Sequence, residues 1–298
     1  MKFDLLGLGE CMVELYADQP LGVASRLEKR FGGDVLNSLI AAARLGLKTG
    51  FITRVGDDPF GVGLLTAWQL EGVDTSFAPL VAGENGVYFI SLTAGEREFT
   101  YRRVGSAASS LEPSDIRFEM LQQTRAILLS GITQAISSSA QAATQKAAQL
   151  AKQAGALVIY DPNYRPKLWA ARGALELAQQ ACAALLPLCD VVLPSFPADA
   201  ELLGVSSLKQ TAHAFAQHGA VCVVKCAEQG AYLAGHGMVA TEAVRVIDST
   251  GAGDAWNGAF IHAYLATHDP LLATRAAHRI AAQKLLHRGA IPPRLEVI

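Results

Sequence analysis

At 298 residues, with 51% hydrophobic and 17% charged residues, the chain has enough apolar side chain for one large α/β domain or two modest ones. Its formal charge of −2 and the lack of any block of like charges exclude a nucleic-acid track and a basic membrane-surface patch. In the opening stretch MKFDLLGLGECMVELYADQ, Asp4, Glu10 and Glu14 interrupt the apolar run before it reaches signal-peptide or membrane-spanning length, so a cytoplasmic protein is expected.

In chain order, FDLLGLG predicts a first strand, and residues 10–31, ECMVELYADQPLGVASRLEKRF, predict antiparallel strands with turns. DVLNSLIAAARLG follows as a helix, TGFITRVG as a strand and GVGLLTAWQLEG as a helix. Residues 84–104, ENGVYFISLTAGEREFTYRRV, read as two alternating strands with TAGER at the hairpin tip. RAILLSG, ALVIYDPN, CDVVLPS and AVCVVKC are strands, and SSSAQAATQKAAQLAKQAG and RGALELAQQACAALLPL are helices between them. The last helix, in LATRAAHRIAAQKLLHRGAIPPR, is expected to end near Gly289. Near-continuous apolar strands separated by helices imply a mostly parallel sheet covered on both faces, with ligands at the carboxyl ends of its strands. The segments 10–31 and 84–104 are expected to form a small β-sheet lid. Tyr88, Phe89, Phe99 and Tyr101 make that lid a candidate dimer surface.

The five cysteines, Cys11, Cys182, Cys189, Cys222 and Cys226, are odd in number and lack metal-finger spacing. Cys222 and Cys226 share a strand face, but without a second pair they read as buried apolar residues.

Five segments carry chemistry. In DSTGAGDAWNGAF, Gly251 and Gly253 let backbone approach a ligand, and the amides of Ala252, Gly253 and Asp254 open a helix as an anion hole. Asp254 either caps that helix or accepts a proton from an attacking hydroxyl; the pattern leaves both open. YDPNYRPKLW sets Asp161, Asn163 and Arg165 at a strand end, where Arg165 suits a phosphate or carboxylate. FGGDVLNSL presents Gly33, Asp34 and Asn37 at a helix start, a donor and acceptor set for hydroxyls or a plain capped helix. VYFI and FTYRR supply Tyr88, Tyr101 and Arg103; alternation puts Tyr101 and Arg103 on one face, suited to a ligand or to dimer packing. VVKCAEQGAYL places Lys225 and Gly230 at a strand end. A P-loop is absent, and GLGECM has Met12 where a dinucleotide fingerprint needs its third glycine.

Together DSTGAGDAWNGAF, FGGDVLN with ARLG, and TRVGDDPFG resemble the signature regions of the ribokinase-like (PfkB) carbohydrate kinases, over essentially the whole chain. GECMVEL, FGGDVLN, GVYFI, YDPNYRPKLW and RGAIPPR resemble the branch of that family acting on 2-dehydro-3-deoxygluconate. The resemblance implies one ribokinase-like three-layer α/β/α domain over residues 1–298, with a mostly parallel central sheet and a small lid. It implies ATP-dependent phosphorylation of the sugar acid at its 6-hydroxyl, with Asp254 as general base and Gly251, Ala252 and Gly253 as the anion hole. Gly33, Asp34 and Asn37 would grip hydroxyls, and Tyr88, Tyr101, Arg103 and Arg165 would close on the carboxylate end. ATP would lie along Ser195, Lys225 and Gly230, with magnesium held largely by its phosphates. Both arginines suit an anionic sugar, since a neutral hexose would leave them unpaired. In LPSFPADAELLG, Ser195 with Asp199 or Glu201 departs from the family's metal-organising spacing, so no metal ligand is assigned. The rival readings are a kinase for a neutral sugar or nucleoside, and a catalytically silent sugar-binding regulator.

Overall fold

The computed structural model describes residues 1–93 and 96–294. Strands whose side chains alternate between two apolar faces need cover on both, and the first strand shows how that need is met. In Phe3–Leu8, Leu6 and Leu8 pack into one buried cluster and Leu5 into the other. Ile127 and Leu129 of Thr124–Ser130 likewise join the first cluster, and Ala126 and Leu128 the second. Helix Ser138–Ala154 covers one face through Ala140, Ala143, Ala147 and Ala151, whose small side chains allow close approach. Helices Asp34–Arg44, Ala252–Thr267 and Pro270–Leu285 cover the other through Leu36, Leu39, Phe260 and Ala277. The result is a three-layer α/β/α arrangement.

Among the described residues the central sheet has nine strands. Their order is Gly237–Val239, Ala231–Leu233, Val221–Lys225, Val191–Val192, Leu157–Asp161, Thr124–Ser130, Phe3–Leu8, Thr49–Ile52 and Val73–Asp74. From Val221–Lys225 to Val73–Asp74 every neighbouring pair runs parallel, and only the hairpin at the other edge is antiparallel. Ser130, Asp161 and Lys225 therefore end their strands on the same edge of the sheet.

A second sheet orders its strands Glu28–Gly32, Met12–Tyr16, Gly86–Thr93 and Glu96–Arg102. The expectation of purely antiparallel strands is corrected here: each hairpin is antiparallel, but Met12–Tyr16 pairs parallel with Gly86–Thr93. Parallel neighbours need a long crossover, and here it runs through the two helices Asp34–Arg44 and Gly61–Leu70. Ala94 and Gly95, at the expected hairpin tip, lie outside the described residues. The last helix stops at Leu285, short of the expected Gly289, because the amides of Leu286 and His287 turn back to the carbonyls of Gln283 and Lys284 at 3.2 and 3.1 Å. All five cysteines are free and buried, and Cys226 donates to the carbonyl of Val224 at 3.3 Å. Among the described residues no helix is long and apolar enough to cross a membrane.

Helix Ala252–Thr267 reaches the sheet edge because it packs against Asp34–Arg44 with no side chain between them at Gly258. A Cβ there would come within 2.4 Å of the Ser38 carbonyl oxygen and 2.8 Å of Ala41 Cβ. Gly258→Ala should force these helices apart and destabilise the protein by about 1–3 kcal/mol, the usual cost of overpacking. A lowered midpoint in urea unfolding would register the loss.

Candidate functional site

An open cavity of about 570 Å³ lies between the carboxyl ends of the parallel strands and the small sheet. Its lining unites Gly33, Asp34, Asn37, Tyr88, Tyr101, Arg103, Arg165, Ser195, Lys225, Gly251, Gly253 and Asp254, residues drawn from segments far apart in sequence. Ala252 and Gly230 do not line it. Gly230 belongs to the edge hairpin, where its carbonyl accepts from the Cys226 amide at 2.8 Å.

The turn before helix Ala252–Thr267 sets the floor. Gly251 is the N-cap residue with φ of 72°, the left-handed region that favours glycine, and a Cβ there would meet the Ala290 carbonyl oxygen at 2.7 Å. The Ala252 amide is already used, donating to the Ser249 carbonyl at 3.1 Å. Among the described residues, the amides of Gly251, Gly253 and Asp254 have no partner. Two of the expected trio are thus open, with Gly251 in place of Ala252.

Asp254 does not cap the helix. It is the third helical residue, and its Oδ2 accepts from Asn37 Nδ2 at 2.8 Å instead of from a helix amide. Burial is the largest cause raising its carboxyl, followed by the charge of Asp34; with Asp161 they outweigh the Asn37 hydrogen bond and the Lys225 charge, and its pKa stands at about 7. Asp34 opens helix Asp34–Arg44 and accepts through Oδ2 from Ser130 Oγ and from Asn163 Nδ2, the latter at 2.9 Å. Its Oδ1 is buried without a partner, and burial with the Asp161 charge also raises its pKa.

Lys225, expected beside a nucleotide, is held in a network. Its ammonium donates to Asp161 Oδ2 at 2.8 Å and to Asn257 Oδ1 at 3.0 Å, while Asn257 Nδ2 donates to the same Asp161 oxygen at 2.6 Å. Asp199 spends both oxygens on the amides of Ser195 and Tyr164, at 2.6 and 2.7 Å, and burial with the Asp161 charge lifts it to about 6. Glu201 is exposed and outside the cavity lining. Among the described residues no three His, Cys, Asp or Glu side chains converge as a metal site.

From the small sheet, Arg97, Phe99, Tyr101 and Arg103 share one face of Glu96–Arg102 and its extension, and all line the cavity. Tyr88 and Tyr101 stack with ring centroids 5.8 Å apart, and the Tyr88 hydroxyl donates to buried Glu14. Arg103 faces Tyr101 at 5.6 Å and is ion-paired with buried Glu10; burial lowers its pKa to about 10. Arg165 is exposed and, among the described residues, its guanidinium has no ion pair or hydrogen bond. Arg103 is thus not left unpaired in the absence of a charged ligand, contrary to the expectation for both arginines. Sequence reasoning missed Arg97, although extending the Tyr101–Arg103 alternation by two steps each time reaches it. It also missed Glu10, read only as a charge that interrupts the opening apolar run and as the first residue of the segment 10–31.

Because the charge of Asp34 helps to raise Asp254, Asp34→Asn should move the Asp254 titration below its midpoint of about 7. Carboxyl-carbon NMR on aspartate-labelled protein would follow that midpoint in both proteins.

Residues 2–297 match the model of the pfkB family carbohydrate kinases. The chain is 32% identical to 2-dehydro-3-deoxygluconokinase of Haemophilus influenzae over 95% of this chain and 94% of the relative. It is 30% identical to fructokinase-1 of Oryza sativa subsp. japonica over 97% and 93% respectively. Among solved structures, a PfkB protein from Polaromonas sp. JS666 superposes with a TM-score of 0.86 at 34% identity, covering 94% of this chain and 95% of that one. A putative ribokinase II from Escherichia coli, solved with ATP and magnesium, has a TM-score of 0.88 at 24% identity and covers 97% and 94%. With its three-layer fold, its second small sheet and a match over nearly every residue, the chain belongs to the pfkB family of carbohydrate kinases.

Proposed function

We propose that this carbohydrate kinase transfers the γ-phosphoryl group of ATP to the 6-hydroxyl of 2-dehydro-3-deoxy-D-gluconate, with Asp254 as general base. The observation that carries the reading is the Asp254 carboxylate, held by Asn37 and turned away from helix capping, beside three open amides. Asp254 takes the proton of the attacking hydroxyl as its oxygen bonds to the γ-phosphorus. The bond from that phosphorus to the bridging oxygen breaks, and ADP leaves. The amides of Gly251, Gly253 and Asp254, at the positive end of a helix, stabilise the charge on the transferred group. Magnesium bound to the nucleotide would neutralise phosphate charge and would be held largely by the phosphates themselves.

At the sugar, the unpartnered Asp34 Oδ1 is a ready acceptor for a hydroxyl, and Asn37 and Gly33 stand beside it. Arg165, the unpaired cation of the lining, suits the carboxylate, with Tyr88, Tyr101 and Arg103 around it. Ser195 and Lys225 border the region given to ATP, Lys225 acting through Asp161 and Asn257. The chain works as one domain whose small sheet closes as a lid and excludes water. The match to a 2-dehydro-3-deoxygluconokinase over nearly the full length supports the substrate, and the ATP-bound relative of the same fold supports the donor.

A fructokinase-type kinase is the second reading. It is favoured by the rice relative and by Arg103, which already has Glu10 as a partner and needs no substrate carboxylate. An ADP-release assay with MgATP against 2-dehydro-3-deoxygluconate, its galactonate epimer, fructose, ribose and adenosine separates the two. Selective turnover of the first is expected, and turnover of fructose alone would replace this reading with the second. Arg165→Leu should raise KM for the sugar acid about tenfold or more while leaving neutral sugars little changed, as loss of a charge-assisted hydrogen bond does.

Asp254→Asn should keep sugar and ATP binding but lower kcat by about 10²–10⁴-fold, which stopped-flow or coupled assays and calorimetry would read. A base works only when deprotonated, so kcat/KM should fall with a slope of one as pH drops below about 7, the Asp254 pKa. That acid limb should disappear in Asp254→Asn.

A further inference from the structure

Lys284 is 1% exposed and lies in the last turn of helix Pro270–Leu285, yet among the described residues its ammonium pairs with no carboxylate. It donates instead to two backbone carbonyls, those of Asp248 at 2.8 Å and His287 at 3.2 Å. A buried cation among carbonyls is costly unless its position matters to what surrounds it. What surrounds it is the strand of backbone leading into the Gly251 turn. The amides of Ile247 and Asp248 both donate to the Leu285 carbonyl, at 2.8 and 3.3 Å. The Asp248 carboxylate accepts from the amides of Thr250 and Gly289, each at 2.7 Å, and from Arg97. Ala290, one residue beyond Gly289, is the backbone on which Gly251 closes.

We infer that Lys284 is a positioning residue, an internal cation that clamps the carbonyls of Asp248 and His287 and so fixes the turn presenting the Gly251, Gly253 and Asp254 amides. The inference rests on the reading that these amides receive the transferred phosphoryl group. Two effects follow from one ammonium. It holds segments 247–251 and 287–290 in register, and it places a positive charge behind amides that face a developing negative charge. Burial pulls the Lys284 pKa below its usual value, while the charges of Asp248 and Asp254 draw it back. A plain helix-capping lysine would do the first task for its own helix only.

Geometry also supplies the test. A cavity of about 490 Å³ is lined by Asn37, Ala255, Lys284, His287 and Ala290, so a lysine truncated to alanine leaves a space that a small cation can enter. Lys284→Ala should lower kcat by about 10²-fold, as loss of alignment at an anion hole does, with KM for the sugar acid little changed. Ammonium or potassium should restore much of that rate in Lys284→Ala and little in Lys284→Met, whose side chain refills the space. The wild-type rate should be the same in sodium, potassium and ammonium buffers.

Circular-dichroism melting checks that both variants fold. Amide hydrogen exchange over residues 246–256 should speed up in Lys284→Ala and slow again with ammonium, a readout independent of any substrate. Unchanged kcat and unchanged exchange in both variants would overturn the role of Lys284. So would a loss of rate that no cation rescues, with exchange over 246–256 as in the wild type. If the wild type phosphorylates none of the sugars, the proposed function falls, and the exchange data decide on Lys284 by themselves.

Discussion

Four carboxylates, Asp34, Asp161, Asp199 and Asp254, crowd the carboxyl ends of the parallel strands, and Lys225 is the cation placed among them. The rest of the site depends on how this excess of negative charge is held. Asp161 takes Lys225 and Asn257, Asp199 takes two amides, and Asp34 takes Ser130 and Asn163. Asp254 receives a single neutral donor, Asn37. Burial and the charges of Asp34 and Asp161 raise its carboxyl to about 7, and it stands beside the open amides. A carboxylate with ordinary acidity would be a weak base for a hydroxyl; burial, and then crowding, makes this one stronger without any contact to the ligand. The network on its neighbours therefore serves Asp254 by denying it partners.

Asp248 plays the corresponding part on the phosphate side. Burial alone would raise its carboxyl, but Arg97 and the amides of Thr250 and Gly289 hold it well below the usual carboxylate range. Through these bonds it joins three parts of the chain: the small sheet, the turn before helix Ala252–Thr267, and the segment after the last helix. Arg97 comes from the same strand face as Tyr101 and Arg103, so motion of the small sheet is mechanically coupled to the turn that carries the open amides. On the proposed mechanism, closure of the small sheet over a ligand and alignment of the turn would be one event, which would limit wasteful hydrolysis.

How much of this could be read in the sequence follows from the range of the interactions. The strands and helices were legible because apolar periodicity is local: alternation in FDLLGLG and the alanine spacing in the 138–154 helix each point to a buried face. Glycine-rich turns and strand-end polar clusters were legible too, since a parallel sheet gathers its strand ends at one edge. Partner choice was not. Arg97 meets Asp248 across 151 residues, and Lys284 meets the Asp248 carbonyl across 36, separations that no local pattern encodes. Lys225 shows the same limit in reverse. Its place at a strand end was readable, but the direction of its side chain depends on Asp161, two strands away in the sheet, and on Asn257 of a helix. The parallel pairing of Met12–Tyr16 with Gly86–Thr93 was hidden for a related reason, because a strand's own sequence does not record the sense of its neighbour.

Glu10 and Arg103 bear most directly on which sugars the cavity can hold. Arg103 is mostly buried, and so is its partner; drawing Arg103 fully onto a substrate carboxylate would strand Glu10 without a counter-charge, a loss that typically exceeds what an exposed ion pair returns. An anionic sugar therefore gains little by displacing Glu10 and more by meeting Arg165, which has no partner to lose. Arg103 then serves best as a bridge, keeping Glu10 while turning a remaining N–H toward the ligand, a division that guanidinium with its five donors allows and ammonium does not. On this view preference for an acid resides in one exposed arginine on the loop 162–165. A neutral-sugar kinase could differ from this one at that position while leaving the buried pair, the carboxylate cluster and the anion-binding turn as they are.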